Sequence, residues 1–149
     1  MAWLAVCARM SLLFMEEIMA ITLDEANKMV AGAIAKANEL NIKINVAVVD
    51  AGGRLLAFNR MDGAIWGGMY GSQGKAIASA AFGRSSGELQ ERAESPIIKG
   101  ILGAEGGHGI PSQGGLPVKR NGVTDGAVGV GGGTSQEDED CAAAGIATL

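Results

Sequence analysis

The chain predicts an α+β fold in which an antiparallel sheet carries flanking helices in a layered sandwich. Three observations lead there. Strand-like segments arrive in adjacent pairs joined by short turns. Helical segments lie between and after the pairs. No strand-helix-strand alternation of the parallel kind appears. At 149 residues the chain has the size of one domain, with enough length to bury a core and too little for separate cofactor and substrate domains.

The elements follow in order. Residues 1–19, MAWLAVCARMSLLFMEEIM, read as an N-terminal extension to a single domain over residues 20–149. Arg9 interrupts the apolar run and Glu16-Glu17 follow it, which fits neither a secretion signal nor the ~18 uninterrupted apolar residues of a membrane span. Met15 and Met19 offer shorter starts, and the rival role is an arm covering an apolar surface of a partner subunit. Thr22-Leu23-Asp24-Glu25 is a capping box that opens a helix. Leu23, Ala26, Met29, Val30, Ala33, Ile34 and Ala37 form its apolar stripe, and Asn38 to Asn41 end it. Ile44 to Val49, a turn at Asp50-Ala51-Gly52-Gly53, and Leu55 to Arg60 make a first hairpin. Helical spacing resumes from Ile65 to Phe82. Gly67, Gly68, Gly71 and Gly74 weaken its first half, so either another backbone crosses there or the segment lines a pocket. Ser85 caps a short helix reaching towards Glu94, which Ser95-Pro96 breaks. Ile97 to Leu102 is apolar and of open type, and Gly103 to Gly115 is a long loop of the kind that often carries function. Asn121-Gly122 predicts a two-residue type I′ turn joining Val118–Arg120 to Val123 and beyond, because both residues reach positive φ cheaply. Thr134-Ser135-Gln136-Glu137 is a second capping box, with Glu137 to Asp140 in a first turn that favours acids.

Composition narrows the function classes. Glycine contributes 24 residues and aromatics only 4%, so small aliphatic side chains must fill the core and backbones can approach one another closely. A net charge of −4 with no basic stripe argues against a nucleic-acid partner, and Lys119-Arg120 reads as the polar rim of a hairpin. Cys7 and Cys141 lie at opposite ends, with neither metal-ligand spacing nor a disulfide framework, which fits free thiols in a reducing cytoplasm. The glycines from Gly129 to Gly133 are no phosphate loop, since no Lys-Ser/Thr follows them, and no nucleotide is expected. The acids from Glu137 to Asp140 oppose an anion at the next helix start and point in different directions along it, so capping and solubility outweigh cation binding.

The remaining polar candidates are few. His108 is the single histidine, carried by the Gly-rich loop, where it could ligate a haem iron or exchange protons; Met61, Met69, Tyr70 and Lys75 are weaker ligands. There is no c-type attachment motif, so any haem would be held non-covalently. Asp50 and Asp62 bracket the first hairpin and Asp125 lies in the second; brought near Lys75 they would form a polar site, although an aspartate opening a tight turn more often accepts backbone N–H groups. Arg60 and Lys75 suit a carboxylate or propionate, against the plainer alternative of ion pairs with Asp62 or Glu88. Gly132 and Gly133 offer bare backbone against which a flat ligand or a second subunit could pack.

Val46-Ala47-Val48-Val49-Asp50-Ala51-Gly52-Gly53, then Phe58-x-Arg60-Met61-Asp62-Gly63-Ala64, Lys75-Ala76, Gly114-Gly115-x-Pro117 and Gly126-Ala127-Val128-Gly129-Val130-x-Gly132-Gly133 together resemble the GlcG/HbpS-like family over about residues 20–149. The resemblance implies a sheet of about five antiparallel strands flanked by helices, and assembly into homodimers or higher homo-oligomers. It also implies a ligand-binding accessory role with haem or a related tetrapyrrole as ligand, in the setting of glycolate, diol or glycerol metabolism. Two alternatives stand beside it. One is a small-molecule isomerase, lyase or hydrolase that holds an organic acid through Arg60 or Lys75 and uses an aspartate as base. The other is a structural accessory subunit without catalysis.

Overall fold

The computed structural model describes residues 20–149; the extension expected over residues 1–19 lies outside the described residues. Helix α1 spans Leu23–Glu39, strands β1 and β2 span Asn45–Asp50 and Leu55–Arg60, and α2 spans Gly68–Phe82. Two short helices, α3 (Ser86–Gln90) and α4 (Pro96–Ala104), precede β3 (Gly115–Arg120), β4 (Val123–Gly131) and the last helix, α5 (Ser135–Ile146). The sheet has four strands in the order β2-β1-β4-β3, every pair antiparallel. The α+β class stands as expected, while the count is four and not about five. The two hairpins supply every strand among the described residues, and the apolar segment from Ile97 to Leu102 belongs to α4, started by Pro96 in its first turn, where a missing N–H costs nothing.

Local signals set the boundaries. The Thr22 hydroxyl accepts from Glu25 N at 3.2 Å while the Glu25 carboxylate accepts from Thr22 N at 2.9 Å. The Thr134 and Glu137 pair repeats the arrangement at 3.3 and 2.8 Å. Asn121 and Gly122 adopt φ of 51° and 78°, the left-handed pair that a type I′ turn requires. Asp50 makes its turn as a side-chain acceptor, taking Gly52 N and Arg54 N on Oδ1, each at 2.9 Å. Along α1 the expected stripe is buried at Ala26, Met29, Val30, Ala33 and Ala37 and half-buried at Ile34, while Leu23 stays 60% exposed in the first turn.

The sheet separates two layers. On one face, Val46, Val48, Val118, Val128 and Val130 pack against Met29, Ala33, Cys141 and Ala142 of α1 and α5. On the other, Val49 and Ala127 meet Ala76 and Ala80 of α2, and Ala78 of α2 joins Leu89, Ile98 and Leu102 of α3 and α4. The α2 glycines divide between the two explanations that their sequence allows. A Cβ on Gly68 would lie 3.1 Å from Gly131 O, and one on Gly74 would lie 2.9 Å from His108 O, so other backbones cross at both. Gly67 and Gly71 have nothing within 4 Å of the corresponding position and face open space.

Candidate functional site

The most site-like feature among the described residues is a cleft of about 360 Å³ between α2 and the loop after α4, lined by Tyr70, Gln73, Gly74, Ile77, Gly107, His108 and Ile110. It exists because Gly74 lets the loop backbone sit directly on α2. Ile110 N donates to Gly74 O at 2.8 Å, and the Ile110 side chain fills the space that a side chain on Gly74 would need. The walls are mainly aliphatic and aromatic. Tyr70 is 63% exposed and meets Trp66 edge-to-face, with ring centroids 6.4 Å apart. Ile65 and Trp66 extend this exposed apolar surface before α2 begins. The His108 ring lies over Gly106 and makes no side-chain hydrogen bond among the described residues. A cleft of this size with apolar walls and a few polar groups at its edge has the form of a small-molecule site.

Lys75 lies elsewhere. Its side chain leaves α2 on the sheet side, is buried, and donates to Asp138 Oδ2 at 2.8 Å and Val130 O at 2.9 Å. Asp138 completes the knot by accepting Gly133 N on Oδ1 at 2.9 Å. Burial raises the Asp138 carboxyl above the usual carboxylate range even though the Lys75 ammonium and the Gly133 N–H both pull it down. Lys75 is thus committed to the fold and paired with neither Asp62 nor Glu88. The acid run from Glu137 to Asp140 also divides: Glu137 caps α5 as expected, while Asp138 turns inward. Sequence spacing gave no cue to the partner, because 63 residues separate Lys75 from Asp138. The usable cue was chemical, since one member of an acid run on a packed helix must face the core.

The other candidates are dispersed. Asp50 serves its turn, and Asp125 pairs with Arg120 at 3.4 Å, as Glu25 of α1 does at 2.6 Å. The Arg120 guanidinium accordingly holds the Glu25 carboxyl below its usual range. Arg60 and Asp62 are exposed at the opposite end of β2 from the Asp50 turn and make no ion pair among the described residues. Arg60, Lys75 and an aspartate therefore do not meet in one cleft. Gly132 and Gly133 are not bare either: a Cβ on Gly132 would strike Lys43 O at 2.3 Å, and one on Gly133 would lie 2.9 Å from both Glu137 and Ile42. Open glycine backbone is found instead at Gly67, Gly71 and Gly107, beside Trp66, Tyr70 and His108. No group of three or more His, Cys, Asp or Glu side chains is placed to hold a metal ion among the described residues, and no helix among them is long and apolar enough to cross a membrane.

A four-stranded antiparallel sheet with a helix pair on one face, a glycine-bearing helix on the other and an apolar cleft outside that helix defines a small layered α+β domain. The chain belongs to the haem degrading protein HbpS-like family, whose model matches residues 21–147. It is 35% identical over 124 residues to an uncharacterized 15.0 kDa protein from the dhaT-dhaS intergenic region of Citrobacter freundii, covering 83% of this chain and 87% of that one. Among solved structures it is similar to a double mutant of HbpS from Streptomyces reticuli, with TM-score 0.80, 31% identity and 88% of each chain covered. It is also similar to PduOC in a complex with haem, with TM-score 0.78 and 25% identity, covering 88% of this chain and 96% of that one.

Proposed function

We propose that the chain is a small oligomeric accessory protein that binds haem or a related tetrapyrrole non-covalently in the cleft between α2 and the His108 loop, in support of glycolate, diol or glycerol metabolism. The observation that carries this is the cleft itself: apolar walls from Ile77, Ile110 and Tyr70, open glycine backbone at its margin, and the chain's one imidazole at the edge with no side-chain hydrogen bond among the described residues. The donor set fits an iron porphyrin. Neutral imidazole is a standard axial donor to haem iron, and Tyr70 phenolate is a second, weaker one on the same wall. A flat macrocycle gains most from such walls, because apolar area leaves water on both partners. When bound, the iron supplies redox and oxygen-binding chemistry.

The roles of the chain follow from its own groups. His108 would hold the iron through one ring nitrogen, and the Ile77 and Ile110 side chains would exclude water from one macrocycle face. Gly74 keeps the loop close enough to α2 for both walls to exist. Lys75 and Asp138 would keep α2 in place without touching ligand, and Gly132 with Gly133 would serve the same knot. Arg60 is exposed at the end of β2 and lies outside the cleft lining, so it would meet a propionate only beyond the cleft's own walls. The solved haem complex of PduOC and the family membership support this reading. Absorption spectroscopy on titration with haem tests it: a shifted Soret band at micromolar protein is expected, and its absence overturns the proposal. His108→Ala should move or abolish the band, and a band left unchanged in position and intensity removes His108 as ligand.

A further inference from the structure

The sheet ends on two strands whose outer edges are built differently. β3 carries Pro117, which has no N–H to give a neighbour, followed by Lys119 and Arg120; proline and charge are common ways to blunt an edge. β2, LLAFNR, has no proline and no charge before its last residue. Met61 N donates to Ile44 O at 3.0 Å, so by antiparallel alternation Asn59 and Ala57 turn their backbone groups towards β1 while Phe58 and Arg60 turn theirs outward. The register irregularity of this hairpin lies at its turn end, beside Leu55 and Leu56, and leaves Ala57 to Arg60 regular. No strand among the described residues takes up the outward groups. We propose that β2 pairs antiparallel with β2 of a second copy of this chain, joining two sheets into one.

Charge selects both the occupant and the register. With Phe58 opposite the second copy's Phe58, Arg60 stands opposite Leu56, and Asp62, just past the strand, comes beside Arg54, twice over by symmetry. Asp62 is exposed, and Arg54, which already holds Glu105, keeps donors for a second carboxylate. Sliding the pair by two residues one way sets Arg54 against Arg60, and sliding it the other way leaves no opposite charges facing; like charges directly opposite destabilise a sheet. The pairing is self-complementary, as a twofold contact requires.

The layer beside the strand fits the same partner. A groove of about 550 Å³ runs between α1 and β2, lined by Val30, Ala31, Ile34 and Ala35, with asparagines as its only polar lining residues. Its helical side, from Asn27 to Asn38, is about 16 Å long, close to the roughly 20 Å of a strand of β2's length. Antiparallel pairing about a twofold axis keeps α1 of both copies on one face of the joined sheet. Two uncharged stripes with exposed Ala31 and Ala35 then meet over the seam and leave water together. This pairing rests on the oligomer proposed above and names its interface; it is independent of the ligand, since no residue of the His108 cleft lies on β2 or in the α1 groove.

Sedimentation velocity on the full chain at micromolar concentration should give a dimer or a multiple of one. Phe58→Pro removes an outward N–H and spares the bonds to β1, so it should reduce the assembly to half its mass or less while the circular dichroism spectrum is retained. Cysteine pairs supply a second readout, in a Cys7→Ser background where the remaining Cys141 is buried. Phe58→Cys should form a disulfide between copies on mild oxidation, because facing Cα atoms about 5.5 Å apart suit that bond. Lys119→Cys, on the other edge, should give a yield lower by about fivefold or more. Asp62→Arg should cut the Phe58→Cys yield by about fivefold or more, since it faces two arginines, and adding Arg54→Asp should restore it. A monomeric chain, equal linking at the two positions, a yield indifferent to Asp62→Arg, or a charge swap that restores nothing would each overturn the pairing. Unchanged mass in folded Phe58→Pro would overturn it too, while leaving the oligomer itself standing.

Discussion

The two faces of the sheet are built from different residues and obey different rules. Towards α1 and α5 the strands present Val46, Val48, Val118, Val128 and Val130, and the layer is held by the volume of branched side chains around Met29. Towards α2, β4 presents Ala127, Gly129 and Gly131, and the helix lies so close that a Cβ on Gly129 would fall 2.0 Å from Ser72 O. The first face gains its stability from apolar area, so it is sensitive to losing atoms. The second gains it from backbone proximity and is sensitive to gaining them. The thin contact also explains the site: a helix pressed against glycines on its inner side can carry a loop against Gly74 on its outer side, and the cleft forms there.

The Lys75 to Asp138 pair joins the two faces, since the lysine rises from α2 and the aspartate from α5, meeting beside Gly114. Breaking it should give the largest effect of any single change considered. Lys75→Met should cost about 3–5 kcal/mol at neutral pH, because it leaves a buried carboxylate without its cation. The pH dependence follows from the direction of the Asp138 shift. A carboxyl held above its usual range in the folded state binds a proton more tightly there than in the unfolded chain. Its contribution to stability is therefore complete below the unfolded value and is lost as pH rises through the raised one. Removing Lys75 takes away a lowering influence and strengthens that trend. Urea unfolding should thus show a deficit that is largest near neutrality and shrinks near pH ~4. The double variant with Asp138→Leu should recover most of the loss, and a double variant as unstable as the single would show that the pair is not the cause.

The α2 face itself is tested by Gly129→Val. With Ser72 O and Ala76 N at 2.0 and 2.6 Å from the new Cβ, neither a rotamer change nor a flexible neighbour can relieve the clash. The helix must move off the sheet, at a cost of about 3 kcal/mol or more. A fall of less than about 1 kcal/mol in urea unfolding would mean that the contact is soft and the contrast between the faces is wrong. The same contact marks what could be read in the sequence. Both capping boxes, the Asn121-Gly122 turn, the Asp50 turn and the α1 stripe were legible because each is set by residues within four positions of one another. The fifth strand was an expectation of family likeness, and the described residues form two hairpins. The partner of Lys75 and the sorting of glycines into crossed and open ones depend on contacts between elements far apart in sequence, which periodicity does not encode. His108 was legible as a candidate by being alone, but Ile77 and Ile110 beside it were not, because an aliphatic residue reads as core until a cleft is seen next to it.

The smallest effect should fall on the open side of α2, where the comparison can be made within a single helix. Gly71 has nothing within 4 Å of its missing Cβ, so Gly71→Ala should raise stability by about 0.5–1 kcal/mol through lower unfolded-state entropy and better helix propensity. Gly68→Ala, one turn earlier, should lower it, since Asn45 Nδ2 and Gly131 O lie 2.4 and 3.1 Å from the new methyl. Opposite signs at two glycines three residues apart would place the boundary between crossed and open backbone on the surface of the helix itself. If Gly71→Ala also weakens haem binding while raising the melting temperature, then the bare backbone is there for the ligand and not for the fold. An unchanged affinity would instead confine the ligand to the side of the cleft beyond Tyr70, nearer His108.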